Sequence, residues 1–201
     1  MRIGLFGGSF DPIHLGHLIL AERCRDAAKL EAVWFLPSYV PPHKQGRTLT
    51  RFEHRCDMAG LAIAGQPAFR IEPIEKELPP PNYTLQTVRE LQQRHPATQF
   101  CLIIGGDSLH EFHTWHEPAE LAAAMELIAV PRPNSPVVTA EELAAELQLS
   151  PGAVRLTVVP SPLVDISSTQ LRAAVAAQES IRFRVPRSVE EFIRERKLYR
   201  V

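Results

Sequence analysis

His14 and His17 stand three residues apart in Gly7-Gly8-Ser9-Phe10-Asp11-Pro12-Ile13-His14-Leu15-Gly16-His17. On the first turn of a helix that spacing turns two imidazoles to the same side. Imidazole N–H groups beside a phosphate donate hydrogen bonds to its oxygens as charge builds there. Gly16 has no side chain, so a ligand can come close to the backbone. An apolar run, Ile3 to Phe6, precedes the glycines, and helical periodicity follows from Leu18 to Lys29. A strand, a glycine turn and a helix start in that order gather backbone N–H groups and the positive end of a helix dipole at one place. The chemistry expected there is attack on the α-phosphorus of a nucleoside triphosphate.

Other residues suit the same substrate. Ser167-Ser168-Thr169 opens a helix, where hydroxyls and N–H groups converge, and Arg172 follows one turn later with a planar fork for phosphate oxygens. Lys44 ends a proline-stiffened loop, Leu36 to Lys44, as a mobile charge for triphosphate oxygens. Ile104-Gly105-Gly106-Asp107 ends another apolar run; Asp107 is a helix cap, an acceptor for ribose hydroxyls, or both. Trp115 lies in a polar loop, which suits stacking on an aromatic ring, although tryptophan is commonly a core residue. Ser9 is outside any nucleophile elbow, and no Walker A sequence is present. His14, His17 and Asp107 could be imagined as metal ligands, but the glycine-rich context favours phosphate.

These residues need a frame that brings distant segments together. Short apolar runs at Arg2–Phe6, Ala32–Pro37, Phe69–Pro73, Gln99–Gly105, Leu127–Pro131 and Val154–Val159 read as strands buried on both faces. Helical patterns lie between them at Leu15–Lys29, Arg51–Gly65, Thr84–Arg94, Pro118–Ala124 and Glu141–Gln148. Thr50 with Glu53, and Thr139 with Glu142, have capping-box spacing. The alternation predicts βαβ crossovers and an α/β, Rossmann-like, doubly wound, mainly parallel sheet. Residues 1–160 make this core, and 161–201 a C-terminal helical part with helices at Ser168–Ala177 and Ser188–Lys197, all within one domain.

Composition sets outer bounds. With 201 residues, 45% of them hydrophobic and 22% charged, the chain suits one well-buried globular domain. A net charge of −1 offers no global basic field for nucleic acid. No apolar stretch reaches the roughly 20 residues of a membrane span, and no signal-peptide pattern is seen. Three dispersed cysteines read as reduced thiols, so a cytoplasmic location is expected. The choice between monomer and homo-oligomer stays open.

The two motifs Gly-Gly-Ser-Phe-Asp-Pro-Ile-His-Leu-Gly-His and Ile166-Ser167-Ser168-Thr169-Gln170-Leu171-Arg172 resemble the HxGH nucleotidyltransferase superfamily. Pro41-Pro42-His43-Lys44, Tyr83-Thr84-Leu85-Gln86-Thr87, Ile104-Gly105-Gly106-Asp107-Ser108, Thr114-Trp115 and Leu127 to Pro133 are similar to bacterial nicotinate mononucleotide adenylyltransferases. The resemblance implies transfer of AMP from ATP to nicotinate mononucleotide, giving deamido-NAD and pyrophosphate in NAD biosynthesis. It implies catalytic roles for His14, His17, Lys44 and Arg172. An ATP cradle would comprise Gly8, Ser9, Phe10, Gly16, Ile104, Gly105, Ser167, Ser168 and Thr169. Tyr83, Thr84, Asp107, Trp115 and His116 would hold the mononucleotide, with Trp115 on the nicotinate ring. Mg²⁺ is expected on the substrate phosphates, without a protein cage. Nicotinamide mononucleotide or phosphopantetheine as acceptor, and a silent nucleotide sensor, are the rival readings.

Overall fold

Side chains that alternate between two apolar layers shape the sheet. The computed structural model describes residues 1–42, 49–131, 138–162 and 164–200. Within them, Arg2–Gly8 (β1), Ala32–Pro37 (β2), Phe69–Ile71 (β3), Gln99–Gly105 (β4), Glu126–Val130 (β5) and Leu156–Val158 (β6) form one sheet ordered β3-β2-β1-β4-β5-β6. Every described pairing is parallel. The helices are Leu15–Ala27 (α1), Phe52–Ile63 (α2), Thr84–Arg94 (α3), Gly106–His110 (α4), Pro118–Ala124 (α5), Ala140–Glu146 (α6), Ser168–Ala176 (α7) and Arg187–Glu195 (α8).

Successive strand residues point to opposite faces. Val33, Phe35, Cys101, Ile103, Ile128 and Val130 therefore enter one buried cluster, together with residues of α1, α2, α7 and α8. Trp34, Leu36, Leu102, Ile104, Leu127 and Ala129 enter the other, against α3, α4, α5 and α6. Helices on both faces are what continuous apolar strands require. Leu171, Ala174, Val189 and Ile193 share the first cluster with the sheet, and the Leu15 N–H donates to the Arg184 carbonyl at 3.0 Å. The C-terminal helices are thus packed onto the strand–helix turn that carries the histidines.

Strand order reverses between β1 and β4, and the crevice at such a switch point receives ligands in doubly wound sheets. Two expectations need correction. Thr139 does cap α6 with Glu142, accepting its N–H at 3.1 Å. Thr50 does not cap α2; the N-cap is Arg51, without a side-chain cap bond. The Thr50 N–H instead donates to Asp11 Oδ2 at 3.2 Å, and its carbonyl accepts from Arg55 Nε at 2.9 Å. A buried charge network outcompetes the local cap. The five-residue α4 is too short to show a period, and its N-cap is Gly105, so Asp107 lies in the first turn rather than capping it. No helix among the described residues is long and apolar enough to cross a membrane.

Candidate active site

A cleft of about 370 Å³ opens at the switch point. The ends of β1 and β4 form its floor through Gly8, Ser9, Ile104 and Gly105, and His17 reaches it from the first turn of α1. Tyr83 and Thr84, at the start of α3, line the wall together with Trp115 and His116. The Tyr83 and His116 rings stack with centroids 4.1 Å apart, and half-buried Trp115 lies 5.1 Å from the Phe112 ring. Nine of the residues expected from sequence therefore meet at one cavity.

His14 caps α1 and is buried, and its ring stacks on His17 at 3.7 Å between centroids. The His14 backbone N–H donates to His17 Nδ1 at 3.2 Å. An Nδ1 that accepts a hydrogen bond leaves the ring proton of a neutral imidazole on Nε2. His17 is thus fixed as an Nε2–H donor by the His14 backbone N–H. Phe10 supports that ring edge-on at 5.2 Å, from a left-handed conformation with φ 47°. Its side chain is fully buried, so only its backbone can face a ligand.

Two glycines have tighter reasons than ligand access. A Cβ on Gly8 would come within 2.9 Å of the Phe10 ring. A Cβ on Gly16 would come within 3.0 Å of His14 Nδ1, so Gly16 gives room to the imidazole stack.

The second motif approaches the same loop from behind. Ser167 caps α7, accepting the Gln170 N–H at 3.2 Å, and Ser168 Oγ donates to the Pro12 carbonyl at 2.9 Å. Arg172 Nη1 donates to the Asp11 carbonyl at 2.8 Å, and its Nη2 to Thr169 Oγ1 at 3.4 Å. The guanidinium and the histidines therefore share the Asp11–His14 elbow, although Ser167, Ser168, Thr169 and Arg172 do not line the cleft floor. Asp107 is exposed on the first turn of α4, beyond the cavity wall. Lys44 lies outside the described residues.

Beneath the elbow, Asp11 is buried and its Oδ1 accepts the Tyr199 hydroxyl at 2.7 Å. Burial and the Asp11 charge both push the Tyr199 phenol well above its usual range. Arg55, also buried, donates to the Ser9 carbonyl at 2.8 Å. Desolvation lowers its proton affinity, and the Asp11 charge opposes that shift. Sequence reasoning passed over Arg55 and Tyr199, and also Glu75 and Asn82 on the cavity wall. Glu75 sits in the run Glu72 to Glu77, which has the look of a solvated face. Burial pushes its carboxyl up to about 7, against the Tyr39 N–H and Arg55, which both lower it. Among the described residues no group of three or more His, Cys, Asp or Glu side chains is placed to hold a metal.

Known proteins resemble this chain along nearly its whole length. The family model described as cytidylyltransferase-like matches residues 5–174. A relative from Exiguobacterium sibiricum, named probable nicotinate-nucleotide adenylyltransferase, is 41% identical over 99% of each chain. One of the same name from Symbiobacterium thermophilum is 44% identical over 98% of this chain and 95% of its own. In fold the chain is similar to the Plasmodium falciparum nicotinic acid mononucleotide adenylyltransferase complexed with NaAD. That likeness has a TM-score of 0.80 at 19% identity and covers 98% of this chain and 97% of the other. A strand-end cleft with paired histidines, and relatives matched along nearly the whole length, lead to one assignment: the chain belongs to the cytidylyltransferase-like family and, within it, to the nicotinate-nucleotide adenylyltransferases.

Proposed function

We propose that the chain transfers AMP from ATP to nicotinate mononucleotide, forming deamido-NAD and releasing pyrophosphate, in the cytoplasm. The observation that carries this reading is the His17 donor, fixed in its tautomer at a switch-point cleft large enough for nucleotide groups. A phosphate oxygen of the mononucleotide attacks the α-phosphorus of ATP. The bond from that phosphorus to the α–β bridging oxygen breaks, and pyrophosphate leaves with the electron pair. The acceptor phosphate has a second pKa near about 6, so it is already ionised at neutral pH and no general base is needed.

Catalysis is then positioning plus stabilisation of charge. His17 donates from Nε2 to an α-phosphate oxygen as charge shifts towards the leaving group. His14 holds His17 in that orientation and adds its own polarity. Arg172 and Lys44 neutralise the departing pyrophosphate. The backbone around Gly8, Ser9, Phe10 and Gly16, with Ile104, Gly105, Ser167, Ser168 and Thr169, cradles ATP. Mg²⁺ brought in with ATP would supply further neutralisation, held by the substrate and not by a carboxylate cage among the described residues. Tyr83, Thr84, Trp115 and His116 hold the pyridine ring and its carboxylate, and Asp107 a ribose.

The test compares kcat/KM for nicotinate and nicotinamide mononucleotides with ATP and Mg²⁺, following pyrophosphate and deamido-NAD. The nicotinate compound should be preferred by orders of magnitude, as expected where buried polar groups must be matched. ATP binding without pyrophosphate release would overturn the reading. Trp115→Ala should raise KM for the mononucleotide by about tenfold or more, the scale of one aromatic stacking contact. KM for ATP should stay near its original value. An unchanged mononucleotide KM would remove Trp115 from the ring site.

A further inference from the structure

Glu75 is a buried carboxylate on the cavity wall to which phosphate chemistry gives no task. Its Oε2 accepts the Tyr39 N–H at 2.9 Å. The Val40 N–H donates to Asn82 Oδ1 at 3.0 Å, and the Asn82 N–H donates to the Val40 carbonyl at 3.1 Å. Asn82 Nδ2 donates in turn to the Glu75 carbonyl at 3.0 Å. Two successive residues of the loop after β2 are thus stitched to the segment that runs straight into Tyr83 and Thr84.

We propose that Glu75 and Asn82 are positioning residues for the acceptor. They clasp the loop after β2 to the start of α3 and so set the width of the mononucleotide end of the cleft. The inference rests on the function proposed above and deepens it. Both sides of the clasp contribute cavity wall, Pro41 and Pro42 from the loop and Tyr83 and Thr84 from α3. A buried acid is costly, and an apolar group of similar shape commonly serves stability as well or better. A carboxylate at a ligand cavity, with its oxygen on the N–H of a loop that lines the same cavity, therefore points to placement of that loop. The Tyr39 ring also packs edge-on against Phe52 of α2 at 5.2 Å, which anchors the loop's far side. The clasp acts on the cavity side, where Pro41 and Pro42 form wall.

Steady-state kinetics on the full chain tests this. Glu75→Ala and Asn82→Ala should each raise KM for nicotinate mononucleotide by about tenfold, the worth of one buried hydrogen bond. KM for ATP should change by less than about twofold, because Gly8, Ser9, Phe10, Ile104 and Gly105 of the ATP cradle come from other segments. Glu75→Gln, whose amide oxygen can still accept the Tyr39 N–H, should recover most of the lost affinity. The double alanine variant should be no worse than the poorer single one, since either change opens the same clasp. Equal increases in both KM values, or no change in either, would overturn the proposal. If Glu75→Ala does not fold, Asn82→Ala and calorimetric titration with nicotinate mononucleotide decide the matter. Wild-type chain that makes no deamido-NAD would sink the functional reading itself; active wild type with unshifted variants would sink only the clasp.

Discussion

Replacing His17 with alanine is expected to lower kcat by a factor of about a hundred or more, the loss typical of removing one preorganised donor from a developing oxyanion. The effect should fall on kcat and kcat/KM together, because the donor strengthens its bond only as charge accumulates at the reacting phosphate. Geometry makes the prediction sharp. The His14 N–H on Nδ1 selects the tautomer, and the stacked His14 ring and edge-on Phe10 fix the plane. Little reorganisation is left for the moment of reaction. The measurement is pyrophosphate release under saturating substrates, with thermal unfolding to show that the variant is folded. A near-normal kcat in a folded variant would exclude His17 from the transition state.

The largest stability effect should come from Arg55→Ala, at about 3–5 kcal/mol, the usual cost of removing one partner from a buried charged network. Arg55 is 1% exposed and donates to the carbonyls of Thr50 and Ser9. Without it, each carbonyl loses the Arg55 hydrogen bond, and the Asp11 carboxylate, 2% exposed, loses a neighbouring cation. Arg55→Lys should recover only part of the loss, since a point charge cannot span two carbonyls as a fork does. Urea unfolding monitored by circular dichroism gives the difference. A change below about 1 kcal/mol would place Arg55 with ordinary surface ion pairs.

How much of this was legible in the sequence follows from what each signal depends on. The four central strands were, because they are buried on both faces and so appear as apolar runs between turns. The edge strands β3 and β6 are three residues long and only partly buried, since each pairs on one side alone, so the expectation of burial on both faces fails for them. The histidine loop and the Ser-Ser-Thr element were also legible, since their spacing is local and each opens a helix. What connects the two was not. That Arg172 reaches the Asp11 carbonyl, and Ser168 the Pro12 carbonyl, depends on tertiary docking that no local pattern encodes. Buried charge was the other blind spot. Arg55 and Glu75 sit among polar neighbours and carry the composition of solvated surface, yet both are enclosed. Thr50 shows the same competition, its capping pattern overridden by a network that draws on two remote segments, Ser9 to Asp11 and Tyr199.

The hydrogen bond from Tyr199 to Asp11 joins positions 188 residues apart. Asp11 leaves the ribosome long before its phenolic partner, which arrives only after everything between them has been made. The elbow beneath the histidines is therefore begun first and sealed last. A nascent chain halted before Leu198 would hold all the nucleotide-facing residues yet lack the latch behind them, so catalytic competence should wait for the stretch that carries Tyr199.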